Sequence, residues 1–160
     1  LAQRERNFED LDPERLAALP EGSFGRAYAD FMARNKLSPF NFSERARPIF
    51  ERFPVSVRYI RVHDMVHVLL GFEADIAGEV GVYAFVGEQH YTPTLDRAAR
   101  AARTFARLLF WARPRMDAAL ERGHRLAQGA QVLVNEPLED MLALPLDDVR
   151  GRLGIDSATA

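Results

Sequence analysis

Cysteine is absent, lysine occurs once, at Lys36, and no apolar run approaches the roughly 20 residues that a membrane-crossing helix requires. The first absence removes disulfides, zinc fingers, thiolate ligands and cysteine nucleophiles together, so any metal site must be built from nitrogen and oxygen. It says little about compartment, since secreted and cytosolic chains can both lack the residue. Twenty arginines stand against the single lysine, which reads as the codon bias of a GC-rich genome with no direct mechanistic meaning. The 21 basic and 23 acidic residues leave a formal net charge of -2, so the chain as a whole has no electrostatic footprint for nucleic acid. LAQRERNFEDLD lacks the charged-then-apolar pattern of a signal peptide, and the start at Leu1 leaves room for a leader that has been removed. What is present is ordinary core material. A hydrophobic content of 48% over 160 residues is expected to form one domain, 1–160, burying about two thirds of its unfolded surface.

Strand patterns are scarce too, whereas helix start and stop signals are frequent. Asp12 before Pro13 reads as a cap and first-turn proline for a short helix ending before Pro20. Ser23 caps a second helix, with Phe24, Tyr28, Phe31 and Met32 at helical spacing to about Lys36. LSPFNFSERARPIFERFP, punctuated by Pro39, Pro48 and Pro54, is expected to be irregular with short helical turns, its aromatics packed on the core. A mostly apolar helix runs from about Val57 to Leu70 and is closed by Gly71. DIAGEVGVYAFVGEQH is open between helix and strand. Gly78, Gly81 and Gly87 each disfavour a helix by about 1 kcal/mol and Val80, Val82 and Val86 suit a strand, yet glycines three apart would let a helix approach a neighbour closely. Residues 95–112 read as helix, a further helix runs from Pro114 to about Gln128, and the tail holds two short proline-started helices ended by Gly154. The expected fold is all-α, a single-domain helical bundle with a metal site between two adjacent helices.

That site is read from HDMVHVLL, which sets two of the four histidines, His63 and His67, four residues apart with Asp64 beside the first. At about 100° per residue, with His63 at zero, His67 falls near 40°, Gly71 near 80° and Asp64 near 100°, and the imidazoles stand about 6 Å apart along the axis. Both can then reach one cation. Glu79 lies twelve residues after His67, and a turn at Gly71 and Phe72 would run the next element back to deliver it to the same point. Two nitrogens and two carboxylates suit a divalent ion, zinc first and manganese, iron or cobalt after it, better than calcium or magnesium. Gly71 leaves a gap where substrate could enter, and Tyr59, one turn before His63, is a candidate hydrogen-bond partner; both are candidate substrate-binding residues. The bland alternative is two buried, satisfied histidines with solvated acids nearby. Uncompensated buried polar groups cost about 1 to 3 kcal/mol each, which favours the metal. A zinc-peptidase role fits poorly, because Asp64 is one methylene shorter than the glutamate of His-Glu-x-x-His. A closed, purely structural four-ligand site remains as an alternative.

His63-Asp64-x-x-His67 followed by eleven residues and Glu79 resembles the signature of the coenzyme Q (ubiquinone) biosynthesis "Coq four" family. The likeness extends through RYIRVHDMVHVLLGF and EVGVYAFVGEQ and returns in NEPLEDMLALPLDDVRGRLGI. It implies an all-helical fold, a helix around Glu79, and a divalent metal held by His63, Asp64, His67 and Glu79 as the catalytic set. It further implies a carbon-carbon lyase that replaces the ring carboxylate of a polyprenylated hydroxybenzoate by hydroxyl on the route to ubiquinone. The alternative is a non-catalytic scaffold that presents prenylated intermediates to other enzymes. Implied partners are a polyprenylated aromatic lipid and other ubiquinone biosynthesis proteins, with a membrane surface and a homodimer left open and no nucleic acid. The implied location is cytoplasmic and peripheral on a bacterial inner membrane, or the matrix side of the mitochondrial inner membrane in a eukaryote.

A greasy tail needs an apolar groove or access to the bilayer. Phe105, Leu108, Leu109, Phe110 and Trp111, beside the basic stripe of Arg97, Arg100, Arg103 and Arg107, could rest on anionic lipid, although an alanine-rich seam favours a core-packed helix with a solvated arginine face. His90 and His124 have no carboxylates at useful spacing and read as surface histidines.

Overall fold

The caps and turn residues named above open and close the elements of the protein, whose computed structural model describes residues 11–40, 47–108 and 113–156. Helix α1, Pro13–Ala17, begins where the Asp12 carboxylate accepts from the Glu14 amide at 2.9 Å, and α2, Phe24–Arg34, begins where the Ser23 hydroxyl accepts from that of Arg26. After α3, Arg47–Arg52, the long helix α4 spans Pro54–Leu70. It starts earlier than expected because Pro54 occupies its first turn, where a missing N–H goes unneeded. The ambiguous glycine-rich stretch is helix α5, Ile76–Gln89, with the Asp75 carboxylate accepting from the Gly78 amide at 2.8 Å. Helix α6, Pro93–Leu108, opens on the Thr92 hydroxyl, which accepts from the Leu95 amide, and α7 is Arg113–Ala127. Pro137 precedes a 3-10 turn, Leu138–Met141, rather than an α-helix; a second such turn is Leu133–Asn135, and α8, Leu146–Arg152, follows Pro145. The fold is all-α. Among the described residues the only extended pairing is an isolated bridge between Ser23 and Pro145, and no helix is long and apolar enough to cross a membrane.

Helix α4 is the axis of the core. Val62, Met65, Val66, Leu69 and Leu70 are completely buried, and α2, α5, α8 and the Leu133–Asn135 turn surround it. Its N-terminal half is tied to the tail by Arg58, which grips the Glu139 carboxylate with both guanidinium nitrogens and donates to the Glu136 carbonyl at 2.8 Å. Helix α5 is sandwiched between α6 and α7, and glycines set the distance. A Cβ on Gly123 of α7 would run into the Gly81 carbonyl of α5, and one on Gly87 would come within 2.9 Å of the Ala99 methyl of α6. Two of the glycines that made α5 ambiguous are therefore points of close packing, Gly81 under the Phe72 ring and Gly87 against α6.

One further sequence expectation changes, and another falls mostly outside the described residues. Phe40 and Phe53 stand about half exposed instead of covering the core, and Arg52 lies over the Phe53 ring. Of the lipid-facing cluster, Leu109, Phe110 and Trp111 lie outside the described residues, as do the side chains of Arg103, Phe105, Arg107 and Leu108; Arg97 and Arg100 are exposed.

Alanine at Gly123 gains about 1 kcal/mol of helix propensity but must displace backbone, which costs about 1 to 3 kcal/mol or more. The expected result is net destabilisation by about 1 to 2 kcal/mol in urea unfolding. Gly151→Ala, in α8 with open space around it, should stabilise by about 0.5 to 1 kcal/mol in the same measurement.

Candidate metal centre

The C-terminal end of α4 builds the first half of the site. Gly71 adopts the left-handed conformation at φ 65°, and the Phe72 amide donates back to the His67 carbonyl at 3.0 Å, closing the helix. His67 answers with its side chain, its Nδ1–H donating to the Phe72 carbonyl at 3.3 Å. That bond selects the tautomer whose Nε2 carries a bare lone pair, and this atom is buried with no hydrogen-bond partner. Phe31 of α2 stacks on the ring at 5.6 Å.

The chain then reverses through residues 72–75, and α5 returns beside α4 with Glu79 in its first turn, where the positive end of the helix dipole favours a carboxylate. Glu79 Oε1 lies 3.2 Å from His67 Nε2, out of line for a hydrogen bond, and Oε2 lies 3.4 Å from His63 Nε2. One ligand atom from each of His63, His67 and Glu79 falls within 4.8 Å of the others, an arrangement able to hold a metal ion. The two imidazole centroids are 4.8 Å apart and nearly perpendicular. Asp64 falls outside this group of three: its Oδ1 is 3.4 Å from Nδ1 of His63, the ring nitrogen turned away from Glu79.

Electrostatics follow from the same contacts. Burial alone would depress the His63 pKa, but hydrogen bonds to Asp64 and Glu79, reinforced by their charges, push it up to about 9. Burial would raise Glu79, and the two histidines outweigh it, drawing the carboxyl down to about 2. Tyr59 presents its ring edge-on to His63 at 5.4 Å; burial first, then Tyr83, Tyr91, Glu79 and Asp64, hold its phenol well above the ordinary range.

Gly71 serves the turn rather than opening a gap at the group: with Phe72, Glu73, Arg115 and Arg122 it lines a cavity of about 320 Å³ to which none of the three ligand residues contributes. His90 and His124 do have carboxylates in space, Asp96 at 3.5 Å and Glu88 at 2.8 Å, but neither joins a three-residue cluster among the described residues. Sequence spacing missed Phe72 and Phe31. A backbone carbonyl leaves no trace in residue type, and Phe31 looked like any other core aromatic of α2.

The sequence matches the family model described as Coenzyme Q (ubiquinone) biosynthesis protein Coq4 over residues 1–159. The Ubiquinone biosynthesis protein COQ4 homolog, mitochondrial, of Rattus norvegicus is 34% identical over 93% of this chain, and that of Bos taurus is 35% identical over the same share. The chain spans 56% of the length of each. A crystal structure from Nostoc punctiforme PCC 73102, titled as a ubiquinone biosynthesis protein, shares the fold with a TM-score of 0.74 at 21% identity, over 98% of this chain and 77% of that one. With its two histidines and its glutamate assembled across α4 and α5, and with the family model spanning nearly its whole length, the chain belongs to the Coq4 family of coenzyme Q (ubiquinone) biosynthesis proteins.

Proposed function

We propose that this chain is a metal-dependent enzyme of ubiquinone biosynthesis that replaces the ring carboxylate of a polyprenylated hydroxybenzoate by hydroxyl. The observation that carries it is the buried, unpartnered Nε2 of His67, oriented by the Phe72 carbonyl and facing His63 and Glu79. A buried lone pair beside a second imidazole and a carboxylate is the donor set of a divalent cation. His63, His67 and Glu79 would hold the ion, zinc first and manganese, iron or cobalt after it, with Asp64 as the fourth candidate ligand.

When bound, such an ion supplies a Lewis acid that can hold a substrate oxygen and stabilise the charge developing as carbon dioxide leaves. The protein's own part is positional. Phe72 fixes the His67 tautomer, Phe31 stacks on the His67 ring, Tyr59 meets the His63 ring in a T-shaped contact, and Glu79 reaches toward both rings. Exchange of carboxylate for hydroxyl is a net two-electron oxidation, and with dioxygen as the oxidant it balances by consuming one water and releasing carbon dioxide and hydrogen peroxide. The whole protein would act on a lipid at a membrane surface, peripheral on an inner membrane and alongside other ubiquinone biosynthesis proteins, with self-association as a homodimer to be measured. A second reading, a non-catalytic scaffold for prenylated intermediates, draws on the mostly apolar cavity of about 320 Å³ where Leu16, Ala29, Met32 and Leu37 meet, which the three ligand residues do not line.

Elemental analysis of untagged protein purified without chelator should find about one divalent ion per chain, and His67→Ala should lose it while keeping the helical far-UV spectrum. An unfolded His67→Ala protein would mark the ion as structural. With metal, dioxygen and a prenylated hydroxybenzoate, the protein should release carbon dioxide; tight binding without release, across several metals, would favour the scaffold.

The metal-free protein should show a specific pH profile. The raised His63 contributes stability that is complete below its unfolded value of 6.5 and is lost as pH rises through about 9. The lowered Glu79 contributes above its unfolded value of 4.5 and is lost as pH falls through about 2. Melting in chelator should therefore be highest between these unfolded values, with a decline of the order of 2 kcal/mol toward alkaline pH. Metal affinity should run the other way, rising about tenfold per pH unit toward pH 9 as one proton leaves His63.

A further inference from the structure

Besides His67 Nε2, a second polar atom beside the metal centre is left without a hydrogen-bond partner, the hydroxyl of Tyr59. Its side chain is 4% exposed, and its hydroxyl is buried without a hydrogen-bond partner. Folded chains pair nearly all such groups, so a hydroxyl left free inside a core signals a ligand that completes it. The placement is specific. Tyr59 stands one helical turn before His63 on α4, lays its ring edge against that imidazole at 5.4 Å, and rests on the Tyr91 ring at 5.7 Å. Tyr91 makes the contrast, for its own hydroxyl donates to Gln89 Oε1 at 3.2 Å, and Gln89 in turn receives the Leu133 amide at 3.0 Å. One phenol of the tilted pair is committed to the fold, and the other is not.

Resting on the function proposed above, we propose that the Tyr59 hydroxyl is a substrate-positioning group that donates a hydrogen bond to the ring hydroxyl oxygen of the aromatic substrate, whose carboxylate faces His63, His67 and Glu79. Charge divides the two ends of the substrate. A divalent ion at the three ligands attracts the anionic carboxylate, whereas a neutral phenol is suited to a neutral oxygen acceptor. The Tyr59 ring itself offers an aromatic substrate an offset or edge-on contact. A site built to hydrogen-bond a substrate hydroxyl also discriminates against the analogue lacking it, because the buried donor is then left unpaired.

The test uses the metal-loaded protein and calorimetric binding of two probes, a hydroxybenzoate with a short prenyl tail and the same compound with its ring hydroxyl replaced by hydrogen. Wild type should prefer the hydroxyl compound by about tenfold or more. Tyr59→Phe should erase that preference while keeping metal content, and its melting temperature should be unchanged or higher, since the substitution removes only an unpaired hydroxyl. Tyr91→Phe should keep the preference. Retention of the full preference by Tyr59→Phe, or an equal weakening toward both probes, overturns the assignment and leaves the proposed function standing. A fall in its melting temperature also overturns it, by revealing a structural partner for the hydroxyl. Wild type that binds neither probe removes the proposed function and this role with it.

Discussion

His67 and Phe72 hold each other twice, and the rest of the site depends on that reciprocity. The backbone of Phe72 donates to the carbonyl of His67 to stop α4, and the side chain of His67 donates to the carbonyl of Phe72 to fix its own ring. One pair of residues thus ends a helix, starts the reversal that brings α5 home, and leaves a lone pair aimed at the returning Glu79. Orientation of a ligand imidazole by a carbonyl on its other nitrogen is the usual way a metal site is tuned. Here the orienting carbonyl belongs to the helix stop itself, so loosening the turn would misdirect the ring.

The turn is reinforced from outside by arginine. Arg122 of α7 donates to the Leu70 carbonyl at 2.6 Å and lays its guanidinium over the Phe72 ring at 4.4 Å, while Arg150 of α8 reaches the Leu69 carbonyl at 2.9 Å and that of Val68 at 3.2 Å. The last carbonyls of a helix lack intrahelical donors, and cations there also oppose the negative end of the dipole. Two arginines from two different helices thus clamp one helix end. With Arg58 gripping Glu139 and the Glu136 carbonyl, three residues make contacts that need several donors in a planar fork. The arginine excess seemed a matter of codon usage, but at these positions a lysine, a single compact ammonium, could not make the same set of bonds.

How much of this was legible in the sequence depended on whether the cause lay in residue type. The two histidines at helical spacing, the Gly71 stop and the twelve-residue step to Glu79 were readable because each is local, and the helices converge on the point that spacing alone located. The nature of α5 was undecidable from pattern, since two of the glycines that lower helix propensity are the ones against which Phe72 and Ala99 of α6 pack closely, a tertiary fact. Asp64 was grouped with the ligands by its angle on the helix, yet it faces Nδ1 of His63, because a short side chain beside the first ring reaches that nitrogen more readily than the far one. The aromatics of the proline-rich stretch were expected inside on hydrophobicity alone, and Phe40 and Phe53 stay half exposed where prolines keep the chain out of regular packing. The clamping arginines had no sequence signal at all, since their partners are backbone carbonyls 52 to 82 positions away.

The charge of the group formed by His63, His67 and Glu79 is what makes it a candidate for a cation. Glu79 and Asp64 bring two negative charges to a partly buried place, and in the absence of any ion the nearest remedy is a proton on His63, which the raised pKa of that ring and the lowered pKa of Glu79 both express. His67 Nε2, 3.2 Å from Glu79 Oε1, stays without a hydrogen-bond partner. A single proton therefore answers part of the charge and leaves one lone pair idle. A divalent ion would answer both deficits at once, taking the place of the proton on His63 and engaging the idle nitrogen of His67. The helix stop thus sets the geometry of the group, and the idle Nε2 beside the carboxylate is what makes the group a candidate for a cation supplied from solution.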